Sequence, residues 1–459
     1  MIRLFGVGVP LRTLLLVASE TALVLVALWS AIAVWFGPDA DLAFAYDYNV
    51  QTFLVACAVC ILSMYYHDLY ESSVLVNLRE VATRLIQVLG TVSIVLALIY
   101  FAYPSVQLGR GPFLLWIGLV GLLLAVWRKL FAVLAGAPGF RERVAILGEG
   151  VLANELKCEL KNRPELGFEL VEHFPLPHGP GASSREALRQ FVAELEDAVR
   201  QKRLDRLVVA AEECRGTLPV EDLLRLKAGG LRVQDGVEFY EAIAAKVPVL
   251  ALRPSSLLFS DGFQASPARI AAKRAASILL SVIGLVVGAP LLALIAVAIR
   301  LDSRGPVLFR QQRVGHGGRL FTLYKFRTMH SDADHDLPAR PNDERITRVG
   351  RWLRRTRLDE LPQLYNILRG DMDLIGPRPF IPAVEEHCAR QIPFYCQRWN
   401  LRPGITGWAQ VHNGYCTTLE ENIEKLGYDL FYIKHMSVGL DLLILFRTTK
   451  ILLLGRGAR

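Results

Sequence analysis

Long apolar runs dominate the first third of the chain. Residues 13–36 are apolar apart from Glu20, and residues 49–66, 85–103 and 111–127 carry no charged side chain. Each approaches the ~20 residues that cross a bilayer as a helix. The pattern predicts four transmembrane helices over residues 1–138, with an anchor rather than a cleaved signal at the start, since no small-residue cleavage site follows the first run. Beyond them the period shortens. Residues 143–148, 167–174 and 206–210 read as buried strands separated by helical patterns, which predicts an open α/β sheet. A Pro/Ser/Gly-rich linker over 256–272 leads to a second apolar stretch, 275–299, closed by Arg300.

Charge orients these elements. Arg3 and Arg12 precede the first run, Asp39, Asp41 and Asp47 follow it, Arg79 and Arg84 precede the third, and Arg128, Lys129, Arg141 and Arg143 follow the fourth. Positive charge marks the cytoplasmic side, so both ends of the four-helix unit are expected there. The 25 residues of 275–299 are flanked at both ends by basic residues and interrupted at Gly288-Ala289-Pro290. A helix that enters, bends at Pro290 and returns to the same face satisfies both features. The alternative is a fifth span, which would place the remainder outside the cell.

Composition narrows the class. The 459 residues are 52% hydrophobic and 21% charged, with formal net charge +8. That excludes a disordered, collagen-like or disulfide-stapled chain and fits a basic membrane protein whose partners are anionic. The seven cysteines show no framework. Cys57 and Cys60 sit in an apolar run, where helix packing explains them better than metal or redox chemistry.

Five groups of residues carry candidate chemistry. Gly148-Glu149-Gly150-Val151-Leu152-Ala153 follows a strand and opens a helix, a GxGxxA turn with Gly148, Gly150 and Ala153 placed to approach a diphosphate. The same glycines also suit a tight turn alone. Tyr324 to Met329 alternates apolar and basic residues and would aim Lys325 and Arg327 to one face, where two cations suit a phosphate. Six arginines fall within residues 345–357, with Trp352 among them, and read as a helix at an anionic interface. Asp359 and Glu360 follow directly. Beside so many cations both carboxyls are expected to fall below their usual range, leaving Asp359 a candidate nucleophile at phosphorus and both residues candidate metal ligands. Gly376-Pro377-Arg378-Pro379 fixes Arg378 rigidly for an anion.

These segments, with Lys273-Arg274, the Pro290 break, Gly305-Pro306-Val307, Leu358 to Gln363 and Arg402 to Trp408, make residues 273–459 resemble the bacterial sugar transferase family. Its members are monotopic phosphoglycosyl transferases that move hexose-1-phosphate onto a polyprenyl phosphate. The whole chain, ending Gly455-Arg456-Gly457-Ala458-Arg459, is similar to large members associated with exopolysaccharide and exosortase loci. Many members carry Ser-Pro at the helix break, where this chain has Ala289-Pro290. The resemblance implies Asp359 as nucleophile toward the β-phosphate of a UDP-sugar, release of UMP, a requirement for Mg2+, and undecaprenyl phosphate as acceptor. Lys325, Arg327, Arg357, Arg378, Arg402 and Asp429 are the expected substrate-binding residues.

The expected architecture is therefore a membrane protein of α plus α/β class. A transmembrane bundle spans 1–138, a Rossmann-like cytosolic domain 139–255, and a phosphoglycosyl transferase domain with a re-entrant helix 273–459. It belongs at the bacterial inner (cytoplasmic) membrane with its catalytic domain on the cytoplasmic face. Its partners are a UDP-sugar, undecaprenyl phosphate and the lipid bilayer, with no nucleic acid, and a homo-oligomer is compatible with them. Two other readings stay open. A membrane-anchored nucleotide-sugar dehydratase or epimerase would need a Tyr-xxx-Lys pair, whereas Tyr240 and Lys246 are six apart. A non-catalytic nucleotide-sensing assembly protein would leave Asp359-Glu360 among the arginines without a purpose.

Overall fold

The computed structural model describes residues 2–44, 48–70, 78–136, 141–176, 185–211, 218–263, 266–330, 343–413 and 418–454. The expected C-terminal Gly455 to Arg459 lies outside them. The chain forms two compact units, one mainly of residues 8–234 and the other mainly of 235–459.

In the first unit the four apolar runs are helices: α1 (Leu11–Phe36), α2 (Val50–Tyr66), α3 (Leu78–Ala102) and α4 (Arg110–Gly136). Three of them are long and apolar enough to cross a membrane. α2 is shorter, at 17 residues, and rises about 26 Å against a hydrocarbon core of about 30 Å. Leu28, Ile32, Met64, Leu96 and Trp116 fill the bundle core, and Cys57 and Cys60 are buried in it as free thiols. Glu20 has a partner that its sequence context does not reveal. It accepts from Arg128 Nη2 at 3.1 Å, and Arg128 Nη1 donates to the Leu69 carbonyl at 2.7 Å. Both side chains are buried, so the pair joins α1 to α4 where an isolated charge would be costly.

The remainder of this unit is a four-stranded sheet. Strand β1 (Glu142–Leu147) lies centrally, parallel to β2 (Phe168–Phe174) on one side and β3 (Arg206–Val209) on the other, and β4 (Arg232–Asp235) follows β3. Helices α5 (Val151–Asn162), α6 (Arg185–Gln201) and α7 (Val220–Ala228) connect the strands. β1 is fully buried over its last four residues, as its unbroken apolar run requires.

The second unit starts earlier than residue 273. Helix α8 (Gly236–Ala244) and the segment after it pack into this unit's core, with Ala245, Val247, Val249 and Leu252 beside Trp408, Leu430 and Phe431. Residues 235–252 were expected in the α/β domain, and nothing in their local pattern reveals the partner. Val247 N donates to the Gly427 carbonyl at 3.0 Å, and Trp408 Nε1 donates to the Ala245 carbonyl at 2.8 Å.

The second apolar stretch is helix α9 (Pro267–Asp302), 36 residues long. Ser266 caps it, and it continues through Pro290. A hairpin of β5 (Leu308–Val314) and β6 (Leu320–Phe326) follows. Next come α10 (Arg348–Thr356), α11 (Gln363–Arg369), β7 (Asp373–Ile375) and α12 (Pro382–Gln391). Strand β8 (Gly404–Thr406) pairs in parallel with β7. Helices α13 (Trp408–His412), α14 (Leu419–His435) and α15 (Val438–Leu454) complete the unit.

Candidate active site

Asp359 and Glu360 sit in a single tight turn, Leu358–Glu360, between α10 and α11. The approach is sharp because Arg357 adopts a left-handed conformation, φ +58°, where α10 ends. Thr347 caps the start of α10 by accepting from Gly350 N at 2.9 Å. Gly350 is required where it stands, since a Cβ there would overlap the Thr328 carbonyl. On the other side, buried Asn366 pins α11 to β6. Its Oδ1 accepts from Tyr324 N at 3.1 Å and its Nδ2 donates to the Thr322 carbonyl at 2.7 Å.

Three cations converge on one oxygen. Glu360 Oε1 lies 2.9 Å from Arg378 Nη2, 3.3 Å from Lys325 Nζ and 3.6 Å from Arg357 Nη1. Burial alone would raise the Glu360 carboxyl, but Arg378, Lys325 and Arg357 together outweigh it and hold it well below the usual carboxylate range. Asp359 goes the other way. Burial raises it, and Lys325, Arg354 and Arg357 do not compensate fully, with the Glu360 charge adding to the rise. The expectation that both carboxyls fall is therefore corrected for Asp359. The arginine run does not surround it, because Arg348, Arg351 and Arg355 face outward with Trp352. Among the described residues, Asp359 Oδ1 is buried without a hydrogen-bond partner.

The other expected residues separate. Arg378 is held by a pairing of two motifs. Gly404 N donates to the Pro377 carbonyl at 2.9 Å, and a Cβ on Gly376 would lie 2.9 Å from Gly404 N, so the two glycines let the backbones touch. Arg327 faces away from the carboxylates. It is 3% exposed and donates to the carbonyls of Ser303 at 2.7 Å and Arg304 at 2.9 Å, closing the end of α9. It shares the alternation of Lys325, but it lies just past the end of β6. Arg402 Nε donates to the Gly370 carbonyl at 3.2 Å. Asp429 is buried and accepts from Arg398 Nη2 at 3.0 Å. Arg398 is a residue that the sequence does not single out. It also donates to Glu385 Oε1 at 3.0 Å and to the Arg378 carbonyl at 2.8 Å, tying Asp429 to the loop that presents Arg378. Among the described residues, Gln363 Nε2 is a second buried group without a hydrogen-bond partner in the Asp-Glu segment. Only the orphaned amide marks it, and that is invisible without the structure.

Gly148, Gly150 and Ala153 lie at the turn from β1 to α5. Gly148 and Gly150 have φ of +112° and +115°, and Ala153 is buried. A Cβ on Gly148 would lie 2.6 Å from Ala211 N, so its glycine is needed for backbone packing whatever it binds. Lys246 donates to Glu424 at 2.8 Å and lies 5.9 Å above the Tyr240 ring, an arrangement that holds α8 against α14.

Comparison with known proteins sets this geometry in context. Residues 268–455 match the bacterial sugar transferase model, and residues 66–215 match a CoA-binding domain model. The chain is 46% identical over 196 residues to UDP-N-acetylgalactosamine-undecaprenyl-phosphate N-acetylgalactosaminephosphotransferase of Aeromonas hydrophila, covering 42% of this chain and 46% of that protein. It is 34% identical to undecaprenyl-phosphate glucose phosphotransferase of Komagataeibacter xylinus, over 80% of this chain and 70% of that protein. It is 35% identical to UDP-glucose:undecaprenyl-phosphate glucose-1-phosphate transferase of Escherichia coli (strain K12), over 73% of this chain and 74% of that protein.

Proposed function

The chain belongs to the bacterial sugar transferase family, and from that premise we propose that it transfers a hexose-1-phosphate from a UDP-sugar to undecaprenyl phosphate, releasing UMP, as the first step of exopolysaccharide or related glycan synthesis. The observation that carries the chemistry is Asp359. It is a buried carboxylate whose Oδ1 has no hydrogen-bond partner among the described residues, beside a Glu360 whose Oε1 is already paired with three cations. An oxygen tied up by hydrogen bonds is a poor nucleophile, and this one is not tied up.

In the proposed reaction an Asp359 carboxylate oxygen attacks the β-phosphorus of the donor. The bond from that phosphorus to the bridging oxygen breaks, and UMP leaves with the oxygen. The resulting aspartyl-phosphosugar is then attacked by a phosphate oxygen of the acceptor, which restores the Asp359 carboxylate and yields the diphosphate-linked lipid sugar. Lys325, Arg357 and Arg378 supply the positive field in which the transferring phosphate charge is held. The site also fits Mg2+. A hard carboxylate oxygen of Asp359 is without a hydrogen-bond partner among the described residues, which suits an ion held there together with substrate phosphates, with Glu360 adjacent but its Oε1 already paired with cations. When bound, the ion neutralises charge on the diphosphate.

The placement proposed for this domain is the cytoplasmic face of the inner membrane, with α9 re-entrant. Both ends of α9 are anchored to the same unit. Near its start Arg274 Nη1 donates to Asp373 Oδ1 at 2.9 Å and Ser277 Oγ accepts from Leu374 N at 3.2 Å. At its end Asp302 Oδ2 accepts from Val349 N at 3.0 Å. A crossing helix would leave these anchors on opposite sides of the bilayer. The Rossmann-like sheet is proposed to be dispensable for the chemistry.

Mixing the enzyme with UDP-sugar and Mg2+ in the absence of lipid should release UMP in a burst of about one equivalent per active site, as one nucleophile requires. Intact-protein mass spectrometry should show a hexose-phosphate adduct lost in Asp359→Asn. UMP that forms only when polyprenyl phosphate is present, with no adduct, would instead mean direct transfer between the two substrates.

A further inference from the structure

Arg313, on β5, counts in the sequence only as one of the basic residues that follow the second apolar stretch. In the β5–β6 hairpin Arg313 pairs with Phe321 and Phe309 pairs with Lys325. Alternation along β5 puts Arg313 and Phe309 on one face, so Arg313 shares the face that carries Lys325. The strand end is fixed beside the Arg378 loop, since Val314 N donates to the Phe380 carbonyl at 3.1 Å.

Its bonds are few and neutral. Nη1 donates to the Pro379 carbonyl at 3.2 Å, and Nη2 donates to Gln311 Oε1. Among the described residues the buried Nε has no hydrogen-bond partner and no carboxylate forms an ion pair with Arg313. The guanidinium is depressed to about 10, chiefly by burial and then by the adjacent Arg378 charge, with Glu360 and Glu385 opposing. It therefore stays charged at neutral pH. A guanidinium held next to a second guanidinium, without its own counter-ion, is costly unless an anion completes it. Arg378 is offset by Glu360, whereas Arg313 has no such partner. A planar fork with a spare donor suits a tetrahedral phosphate.

We propose that Arg313 is a phosphate-binding residue of this active site, donating its fork to a phosphate of the reacting substrates. This rests on the functional reading above. The phosphate belongs either to the donor diphosphate or to the lipid acceptor, and each half of the reaction reports one of them. The test uses the full-length protein in nanodiscs as wild type, Arg313→Gln and Arg313→Lys. UMP release without lipid is titrated with UDP-sugar, and transfer of the trapped phosphosugar is titrated with undecaprenyl phosphate. In Arg313→Gln the half-saturating concentration in one titration should rise about tenfold to a hundredfold, as expected for a lost charged hydrogen bond, with the plateau recovered at saturation. Arg313→Lys should rise less, since it keeps the charge and loses the fork.

A shift in the first titration assigns the donor diphosphate, and a shift in the second assigns the acceptor phosphate. If both titrations saturate at wild-type concentrations, Arg313 binds neither phosphate, whatever happens to the plateaus. Should Arg313→Gln fail to fold, the shift or its absence in Arg313→Lys decides. Wild-type protein that releases no UMP from any UDP-sugar overturns the functional reading and this inference together. Active wild type with unshifted variants overturns this inference alone.

Discussion

Asp359 and Glu360 are adjacent and equally buried, at 8% exposure each, yet their carboxyls move in opposite directions. Glu360, lowered in the folded protein, contributes stability above its unfolded pKa and loses it as pH falls through the folded value. Asp359 is raised, so its contribution is present below the unfolded pKa and is lost as pH rises through the folded value, which makes it a liability at neutral pH. Asp359→Asn should therefore abolish turnover and raise the melting temperature. Glu360→Gln should lower the melting temperature, with a cost of about 3 kcal/mol for leaving three cations around an amide. Calorimetry at pH 7 checks both signs, and equal destabilisation by the two would contradict this account. Turnover should also fall on acidification from a pH above the ordinary carboxylate range, as Asp359 takes up a proton. The pair is legible in the sequence because it stands against a run of arginines. Their opposite shifts are not, since Coulomb energy depends on distance and half of that run points outward.

Helix α9 shows what pattern can and cannot give at the scale of an element. The apolar stretch 275–299 and its basic flanks predict its place, but the helix extends from Pro267 to Asp302. The extra turns carry Lys273, Arg274 and Asp302, whose partners lie far away in sequence. Along the helix, Ser277, Ser281, Ile295 and Ile299 are buried while Val286, Val287 and Leu294 are exposed. One stripe thus packs on the unit and the other is apolar and open, as expected for a helix with lipid on its outer side. With Arg304→Cys in intact cells, an impermeant thiol reagent added outside should give no labelling. Labelling from outside would show that α9 crosses the membrane and would move Asp359 to the other side. The glycine turn at Gly148 was legible as a strand-to-helix turn, and its close approach to Ala211 was not, because that contact joins residues 63 apart.

For the whole molecule, the consequential discrepancy is the domain boundary. A chain cut at the start of the second apolar stretch loses Val247, Val249 and Leu252 from the catalytic core, and it leaves the buried Trp408 Nε1 without its carbonyl. Three such side chains are worth roughly 5 kcal/mol of burial. A truncation beginning at Arg232 should fold and release UMP, while one beginning at Ser266 should melt lower or fail to express. Equal stability of the two fragments would show that residues 235–252 are passengers. The sequence pattern does not mark where this unit starts, since the run from 235 to 252 is apolar enough for either core. The same long-range closure governs how the protein is made. Arg274 binds the Met372 carbonyl and Asp373, 98 and 99 residues later in the chain. At ribosomal speeds of about 5–20 residues per second, the membrane helix emerges roughly 5–20 s before the residues that hold its first turns in place. Until then Arg274 lacks both of these partners, so the contacts that hold the first turns of α9 form only after translation has passed Asp373. The packing of this helix thus waits on chain that the ribosome has yet to deliver.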